Sequence, residues 1–496
     1  MVWSMARIDP LDRGASSCTD SHQGIVLIAM LVAITDWLWS YVLIAALLLV
    51  GLRFTLGSRV AQLRLFRRAL SVLSDIDWRG SDRGISSFQA LVVSIAGRVG
   101  GGNIAGVAVA ITLGGPGALF WMWLIALLGM ATSLFECALA QLYKRRDGTD
   151  TFRGGPAYMM RYGLGWRVLP VIYSVLLMAT IGFGFNAVQS YVVTTSIESA
   201  FGVPPLVSGL VMTSAMAIIL FGGIRRLAFF AEIVVPIMVV GYLLIALMVL
   251  ALNASAIPQA LGLIFTSAFG LEQAVGGGIA AAITQGARRG LFSNEAGLGT
   301  VPNVAAAADV PHPVTQGLVQ SLSVFIDTIV LCTATALIIL LSSVYQPDAQ
   351  GVQGVILTQM AVAEHLGAIG EPIVRSAPVL FATTTIAYNS FLGENSIAYF
   401  GKAGGRPVLI FRVSVLALIA WASVQDLSTV FGFADLTMAL LALVNLLALW
   451  ALYPVAMRLM SQFEDQVKAG ESPRFGVDQL PDQALDVESW PSQQAH

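Results

Sequence analysis

From Ile233 to Leu252 the chain runs without a charged residue. A run of about 20 mainly apolar residues is long enough to cross the hydrocarbon core of a bilayer as a helix. In lipid every backbone N–H and C=O must be satisfied internally, which leaves helices or closed barrels. Barrel strands would alternate polar with apolar residues, and this run does not. Eleven such runs can be read: about 25–52, 86–113, 117–142, 168–200, 204–221, 229–252, 257–287, 314–342, 374–400, 407–424 and 428–454. Composition agrees. The 496 residues are 56% hydrophobic and only 11% charged, against roughly 25% charged in soluble domains. That excludes an ordinary water-facing surface, and it is the reverse of the composition that disorder requires. A net charge of −2 gives no case for a nucleic-acid partner. The fold class is an all-α polytopic membrane protein with 11 transmembrane helices.

The basic residues orient these helices. They cluster at 53–83, 144–167, 225–226, 288–289, 402–412 and 458–474, in alternate loops. The intervening loops hold no Lys or Arg. Of the 27 basic residues, all but Arg7, Arg13, Arg98 and Arg375 therefore fall on one side. This predicts a multi-pass protein of the bacterial inner membrane, N-terminus outside and C-terminus cytoplasmic. The apolar run after the polar residues 1–24 is too long for a signal peptide's core. Residues 25–52 are read as an extra first helix and 53–85 as a basic amphipathic segment along the membrane surface. The tail 457–496, with Pro473, Pro481 and Pro491, is expected to be disordered and cytoplasmic.

Two spans are interrupted by glycine, which costs a helix interior about 1 kcal/mol against alanine. One reads Gly100-Gly101-Gly102-Asn103, the other Gly276-Gly277-Gly278. With the first helix set aside, ten spans form two sets of five, 86–256 and 257–456, each opening on an interrupted helix and entering from opposite faces. Paired interruptions in matching places are the sequence sign of an inverted-repeat transporter. Unwinding at mid-bilayer frees polar backbone groups, tolerable where they meet a ligand or a water-filled cavity. Half-helix N-termini suit a carboxylate, and free carbonyls suit an ammonium group or Na⁺. A zwitterionic amino acid carries both charges.

Charged residues within spans are costly and are functional suspects. Arg98 precedes the first interruption, where a guanidinium would replace a cation, anchor a carboxylate or pair with an acid, Asp327 and Glu136 being the candidate partners. Asp327 is the most buried-looking acid, with a structural or a cation-coupling role. Asp36, Asp435 and Glu394 are read as solvated or capping. His22, His312, His365 and His496 fall outside the spans, so no histidine proton relay is expected. Cys18, Cys137 and Cys332 show no metal-ligand spacing. No zinc-protease motif and no phosphate-binding loop is present, so the chain is not read as an enzyme. A channel is the competing class, but channels usually repeat one filter around an oligomer.

Several ordered motifs resemble the alanine-or-glycine:cation symporter family, also called sodium:alanine symporters or amino acid carrier proteins. They include Gly102-Asn103-Ile104-Ala105-Gly106, Leu113-Gly114-Gly115-Pro116-Gly117, Gly154-Gly155-Pro156-Ala157-Tyr158, Phe221-Gly222-Gly223-Ile224-Arg225-Arg226 and Arg289-Gly290-Leu291-Phe292-Ser293-Asn294-Glu295-Ala296-Gly297-Leu298-Gly299. The resemblance covers about 55–455. It implies a leucine-transporter-like five-plus-five fold and import of a small neutral amino acid with Na⁺, H⁺ being the alternative ion, and no cofactor. It also implies a site. Gly100, Gly101, Gly102 and Asn103 would offer amides to the substrate carboxylate, with Gln189 facing the pocket. Gly276, Gly277 and Gly278 would line the other side, and Asn389 stands in the ninth span. Na⁺ would lie among the carbonyls near Ala96 and Val99 and the hydroxyls of Thr384 or Thr385. The sequence departs from the commonest family pattern at Gly101, Tyr191, Gly278 and Asn389, which points to a substrate larger or more polar than alanine.

Overall fold

The computed structural model describes residue 30 and residues 33–74, 85–147, 151–221, 224–270, 278–346, 354–401 and 405–492. The chain is almost wholly helical, with one short hairpin. Helix α1 is Ala33–Gly57. Helices α2, Ser87–Arg98, and α3, Gly102–Gly114, form a pair bent by 50°. Helix α4 is Ala118–Leu142 and α5 is Leu169–Phe201. Strands β1, Arg145–Asp147, and β2, Thr151–Arg153, pair antiparallel between them. Then follow α6, Pro205–Leu220, α7, Ile224–Leu252, α8, Ile257–Ala268, α9, Gly278–Asn294, and α10, Thr300–Ala305. The last four are α11, Pro313–Leu340, α12, Val355–Phe400, α13, Arg406–Ala422, and α14, Leu427–Lys468. Among the described residues six helices are long and apolar enough to cross a membrane, and the bent pair makes a seventh.

Local chemistry sets the ends. Ser86 caps α2 by accepting the Gln89 N–H, and Gln89 answers the Ser86 N–H. Asp426 caps α14 through the Thr429 N–H at 2.8 Å. Helix α12 is two helices joined at a kink, where Gly367 has φ 53°. Among the described residues five segments widen to i→i+5 turns, Leu38–Leu43, Met159–Gly163, Gly102–Gly106, Met178–Phe185 and Phe325–Cys332, a local unwinding frequent at functional sites. The last three meet at the site described below.

One end of the bundle carries most of the basic residues. There Arg64 pairs with Glu464 at 2.5 Å, Ile85 bridges to Ala308, and Gln141 donates to the Ala308 carbonyl at 2.9 Å. At the opposite end α8 packs on the start of α4, where Trp121 Nε1 donates to the Ala268 carbonyl.

Helix α8 ends at Ala268 and α9 opens at Gly278, so the run 257–287 is interrupted, as the sequence reading expects. The structure departs from that reading in two places. Arg288 and Arg289 are buried within α9 rather than in a loop. The tail is folded. Helix α14 runs on to Lys468 and the chain then turns back, burying Phe475, Leu480 and Trp490 against the basic end. Its prolines fit because the returning segment is made of turns and one short 3-10 turn, Val477–Gln479, rather than a continuous helix. The segments 1–24 and 75–84, with Cys18, His22, Lys402 and His496, lie outside the described residues.

Candidate functional site

Helix α2 ends at Arg98. Val99 then leaves the helix with ψ 90°, and Gly100, Gly101 and Gly102 carry the chain round to α3. The three glycines are required by space. A methyl at Gly100 would overlap the Thr385 hydroxyl of α12. One at Gly101 would stand 2.8 Å from Gln189 Oε1 of α5, and one at Gly102 would stand 3.0 Å from the Phe292 ring of α9. Each glycine thus faces a different wall of the same chamber.

The freed backbone groups have defined partners. The Gly101 N–H donates to Gln189 Oε1 at 2.9 Å, and the Gly100 N–H donates to Asn103 Oδ1 at 3.0 Å. The Ala96 carbonyl accepts the Thr385 hydroxyl at 3.1 Å. Asn103 also ties the break to α11: its Nδ2 donates to Asp327 Oδ1 at 2.6 Å. Asp327 Oδ2 accepts the Ser293 and Thr328 hydroxyls at 2.7 and 2.8 Å. Gln189 has Asn186 one turn before it on the same helix face. Asn186 Oδ1 accepts from Asn389 Nδ2 at 3.0 Å, and Asn389 Oδ1 is buried without a protein partner.

A second break lies between α9 and α10. Glu295, Gly297 and Gly299 have φ of 53°, 94° and 87°. The glycines take a left-handed backbone at little cost; Glu295 is the strained exception. Phe292 and Ser293, at the mouth of this break, are the residues that meet Gly102 and Asn103. Its groups are held by side chains of other helices. The Gly297 N–H donates to Glu136 Oε2 at 3.0 Å, and Asn445 donates both to Glu136 Oε1 at 2.8 Å and to the Gly297 carbonyl at 2.9 Å. Tyr173 donates to the Gly299 carbonyl at 2.7 Å, and Thr300 to Glu295 Oε2 at 2.5 Å.

Most residues expected at the site from the sequence meet here: Ala96, Val99, Gly100, Gly101, Gly102, Asn103, Gln189, Thr385 and Asp327, with Asn389 one turn after Thr385 on α12 and bonded to Asn186 of α5. Thr384 does not join them; its hydroxyl donates back to the Phe381 carbonyl at 2.9 Å. Gly276 and Gly277 lie outside the described residues. Gly278 opens α9 at the end remote from Phe292, about 21 Å away at 1.5 Å rise per residue, with nothing within 4 Å of an added methyl. The break that meets the first one is written in Ser293-Asn294-Glu295-Ala296-Gly297-Leu298-Gly299. Alternating glycines after a polar run were the available signal.

Arg98 is also placed differently. Its guanidinium donates to the Gln320 carbonyl and the Ser133 hydroxyl, both at 3.1 Å, and to Ser323. Neither Asp327 nor Glu136 is its ion-pair partner, because their oxygens are taken by Asn103, Ser293 and Thr328 and by Gly297 and Asn445.

Toward the end opposite the basic one, aromatic rings and an ion pair pack beside the break. Phe185 packs on Phe292 with ring centres 4.3 Å apart, and Phe292 on Phe431 at 5.5 Å. The Arg289 guanidinium lies over Phe431 at 4.5 Å and pairs with Asp435. Arg288 pairs with Asp36 at 2.6 Å, and Trp39 Nε1 donates to the Asp435 carbonyl. Asp435, expected to be solvated, is thus buried in α14, while Asp36 keeps an exposed side chain. Glu394 pairs with Arg412 at 2.6 Å in a half-buried position. His365 lies inside α12, and His312 is buried at the start of α11. Cys137 and Cys332 are buried free thiols.

The profile described as the Sodium:alanine symporter family matches residues 25–477. The chain belongs to that family. Similar relatives span the whole membrane part. The chain is 41% identical to the probable sodium/glutamine symporter GlnT of Bacillus subtilis (strain 168), over 92% of this chain and 94% of the relative. It is 41% identical to the amino-acid carrier protein AlsT of the same organism, over 92% and 96%. It is 36% identical to the sodium/alanine symporter AgcS of Methanococcus maripaludis, over 88% and 97%. The glycine-rich first break and the Ser293–Gly299 break thus belong to a member of this symporter family.

Proposed function

We propose that this family member is a secondary active transporter that carries a small neutral amino acid into the cell with Na⁺ by alternating access. The observation that carries the reading is the first break. Two adjacent amides, of Gly100 and Gly101, are held by the neutral carboxamide oxygens of Asn103 and Gln189. A substrate carboxylate would make stronger, charge-assisted bonds to the same amides and displace Gln189 from Gly101. The carbonyls and carboxamide oxygens left around the break would receive the ammonium group. Na⁺, the co-transported ion, prefers hard oxygen ligands. The Ala96 carbonyl and Thr385 hydroxyl supply two, with the Val99 carbonyl beside them and Thr384 one residue away.

Eleven spans follow from α1, the α2–α3 pair, α4, α5, α6, α7, the α9–α10 pair, α11, the part of α12 after its kink, α13 and α14. In this arrangement the two broken pairs run in opposite directions and open the two five-helix sets, with α1 as the addition. The basic end faces the cytoplasm. Access from outside is closed by Phe185, Phe292, Phe431 and the Arg289–Asp435 pair, and access from inside by the junction at Ala308. Moving one positive charge inward is favoured by about 2.3 kcal/mol per 100 mV of membrane potential.

A second reading concerns the substrate's side chain. Asn389 Oδ1 is a buried acceptor without a protein partner, and an unsatisfied buried acceptor favours a ligand that donates to it. A side-chain carboxamide would do so, and one relative is named a sodium/glutamine symporter. Uptake of radiolabelled alanine, glycine and glutamine into proteoliposomes, in Na⁺ and in choline, tests both readings. Saturable, Na⁺-dependent uptake is expected. Linear unsaturable flux would make the protein a channel, and uptake indifferent to Na⁺ would move the coupling to H⁺.

A further inference from the structure

Past α14 the chain reverses. The Arg474 N–H donates to Gln466 Oε1 at 2.8 Å, and Gln466 Nε2 donates to the Arg474 carbonyl. The returning segment then crosses the basic end. The Phe475 N–H donates to the Pro311 carbonyl at 2.9 Å, in the link between α10 and α11. Arg458 holds Asp482 at 2.8 Å, Tyr143 donates to Gln483 Oε1 at 2.5 Å, and Arg145 of β1 donates to the Ala484 carbonyl at 2.6 Å. Trp490 ends the crossing. Its Nε1 donates to the Gln141 carbonyl at 3.1 Å, and the Lys144 ammonium sits 4.4 Å from its ring centre. Phe475, Leu480 and Trp490 are 5%, 2% and 3% exposed, as deep as the core of the bundle.

What lies beneath decides the meaning. The basic-end halves of both broken spans finish in one small junction. The Asp309 N–H donates to the Ile85 carbonyl at 3.0 Å, just before α2. Ala305, the last residue of α10, and Ala308 accept from Gln141, and Ala308 also accepts from Lys144 at 3.0 Å. Gln141 and Lys144, which pin this junction, are the residues Trp490 covers. Opening the basic end requires α2 and α10 to move apart from each other or from α4. The tail is fastened to α4's end through Gln141 and Tyr143 and to the α10–α11 link through Pro311, so it spans the line of separation.

We propose that residues 471–492 are an autoinhibitory strap that holds the basic-end gate shut, and that the strap must undock before substrate and ion leave at that end. The proposal rests on the transport reading above. Its test uses the full chain in proteoliposomes with Cys18 replaced by Ser. In one variant Tyr143 and Gln483 both become Cys, so that oxidation fastens the strap. In another, Phe475→Ala and Trp490→Ala loosen it. Each is measured for Na⁺-driven uptake and for modification of an Ala307→Cys reporter by a maleimide applied from the basic end. Cross-linking should slow uptake by about fivefold or more, the lower range of conformational coupling, and reductant should restore it. The loosened variant should label several-fold faster and turn over faster with KM unchanged. A complete cross-link that leaves uptake and labelling unaltered would overturn the strap. So would a loosened tail, cut by trypsin, with labelling and turnover unaltered. Should no amino acid be taken up at all, the transport reading fails, while the labelling contrast still decides the strap.

Discussion

The two breaks solve the same problem with different chemistry. Both free backbone amides in the middle of an apolar bundle. At the second break the Gly297 amide is held by the carboxylate of Glu136, itself fixed by Asn445. At the first break the Gly100 and Gly101 amides are held by carboxamide oxygens. A carboxylate already in place leaves no site for a second one. A neutral carboxamide is a weaker partner that an incoming carboxylate can replace. On the proposed function, this difference leaves the first break open to a substrate carboxylate and the second closed to one, although both look alike as interrupted helices.

Exchanging that chemistry is the sharpest way to break the comparison. Gln189→Glu would put a built-in carboxylate on the Gly101 amide. It should reduce amino-acid uptake by about 100-fold or more, the scale of losing a positioned group at a reacting centre, with the protein still inserted and assembled. Uptake assays on reconstituted protein check it. Glu136→Gln should do the opposite. It should destabilise the fold by about 1–3 kcal/mol, the cost of an imperfectly paired buried polar group, seen as a lower melting temperature in detergent. The molecules that fold should still transport.

A smaller effect is expected with pH, at the basic end. Burial holds the Lys144 ammonium down to about 7 and the His312 imidazole down to about 3. Both are bases whose folded-state pKa lies below the ordinary value. The unfolded chain then binds more protons, between about pH 7 and 10.5 for Lys144 and between about 3 and 6.5 for His312. Their contribution to stability is lost as pH falls through each window. The melting temperature should rise from pH 7 to pH 9, and Lys144→Met should flatten that rise. The smallest effect is expected at Gly278→Ala. Among the described residues nothing crowds that position, and its φ of 73° opposes a side chain, a cost of about 1–2 kcal/mol. Uptake should be unchanged, whereas the same substitution at Gly101 meets Gln189 and Val192 and should stop transport.

The apolar runs made the helical bundle legible, because span length and backbone satisfaction leave few alternatives. The first break was legible for a related reason: three glycines in a row have little purpose in a helix unless something approaches them. The break at Ser293–Gly299 was not legible because its glycines are spaced, and the polar run Ser293-Asn294-Glu295 passes for a loop until Glu136 and Asn445 are seen to hold it. Arg288 and Arg289 were misread. A pair of arginines signals an exposed loop unless acids from distant helices meet them, and Asp36 and Asp435 lie far away in the chain. The folded tail was hidden by its prolines and polar residues. Its anchors, Phe475, Leu480 and Trp490, are single apolar residues without a helical or strand period. Thr384 and Thr385 could not be told apart from sequence, since adjacent residues on a helix differ only in direction.

That last pair gives the most direct test of the first break as the Na⁺-coupled site. The measurement is the Na⁺ concentration that half-saturates amino-acid uptake in proteoliposomes, for Thr385→Val and Thr384→Val. Removing the hydroxyl that meets the Ala96 carbonyl should raise the half-saturating Na⁺ concentration by about tenfold, equivalent to ~1.4 kcal/mol. Thr384→Val should leave it near the wild-type value. An unchanged Na⁺ dependence in Thr385→Val, or a shift confined to Thr384→Val, would contradict the account.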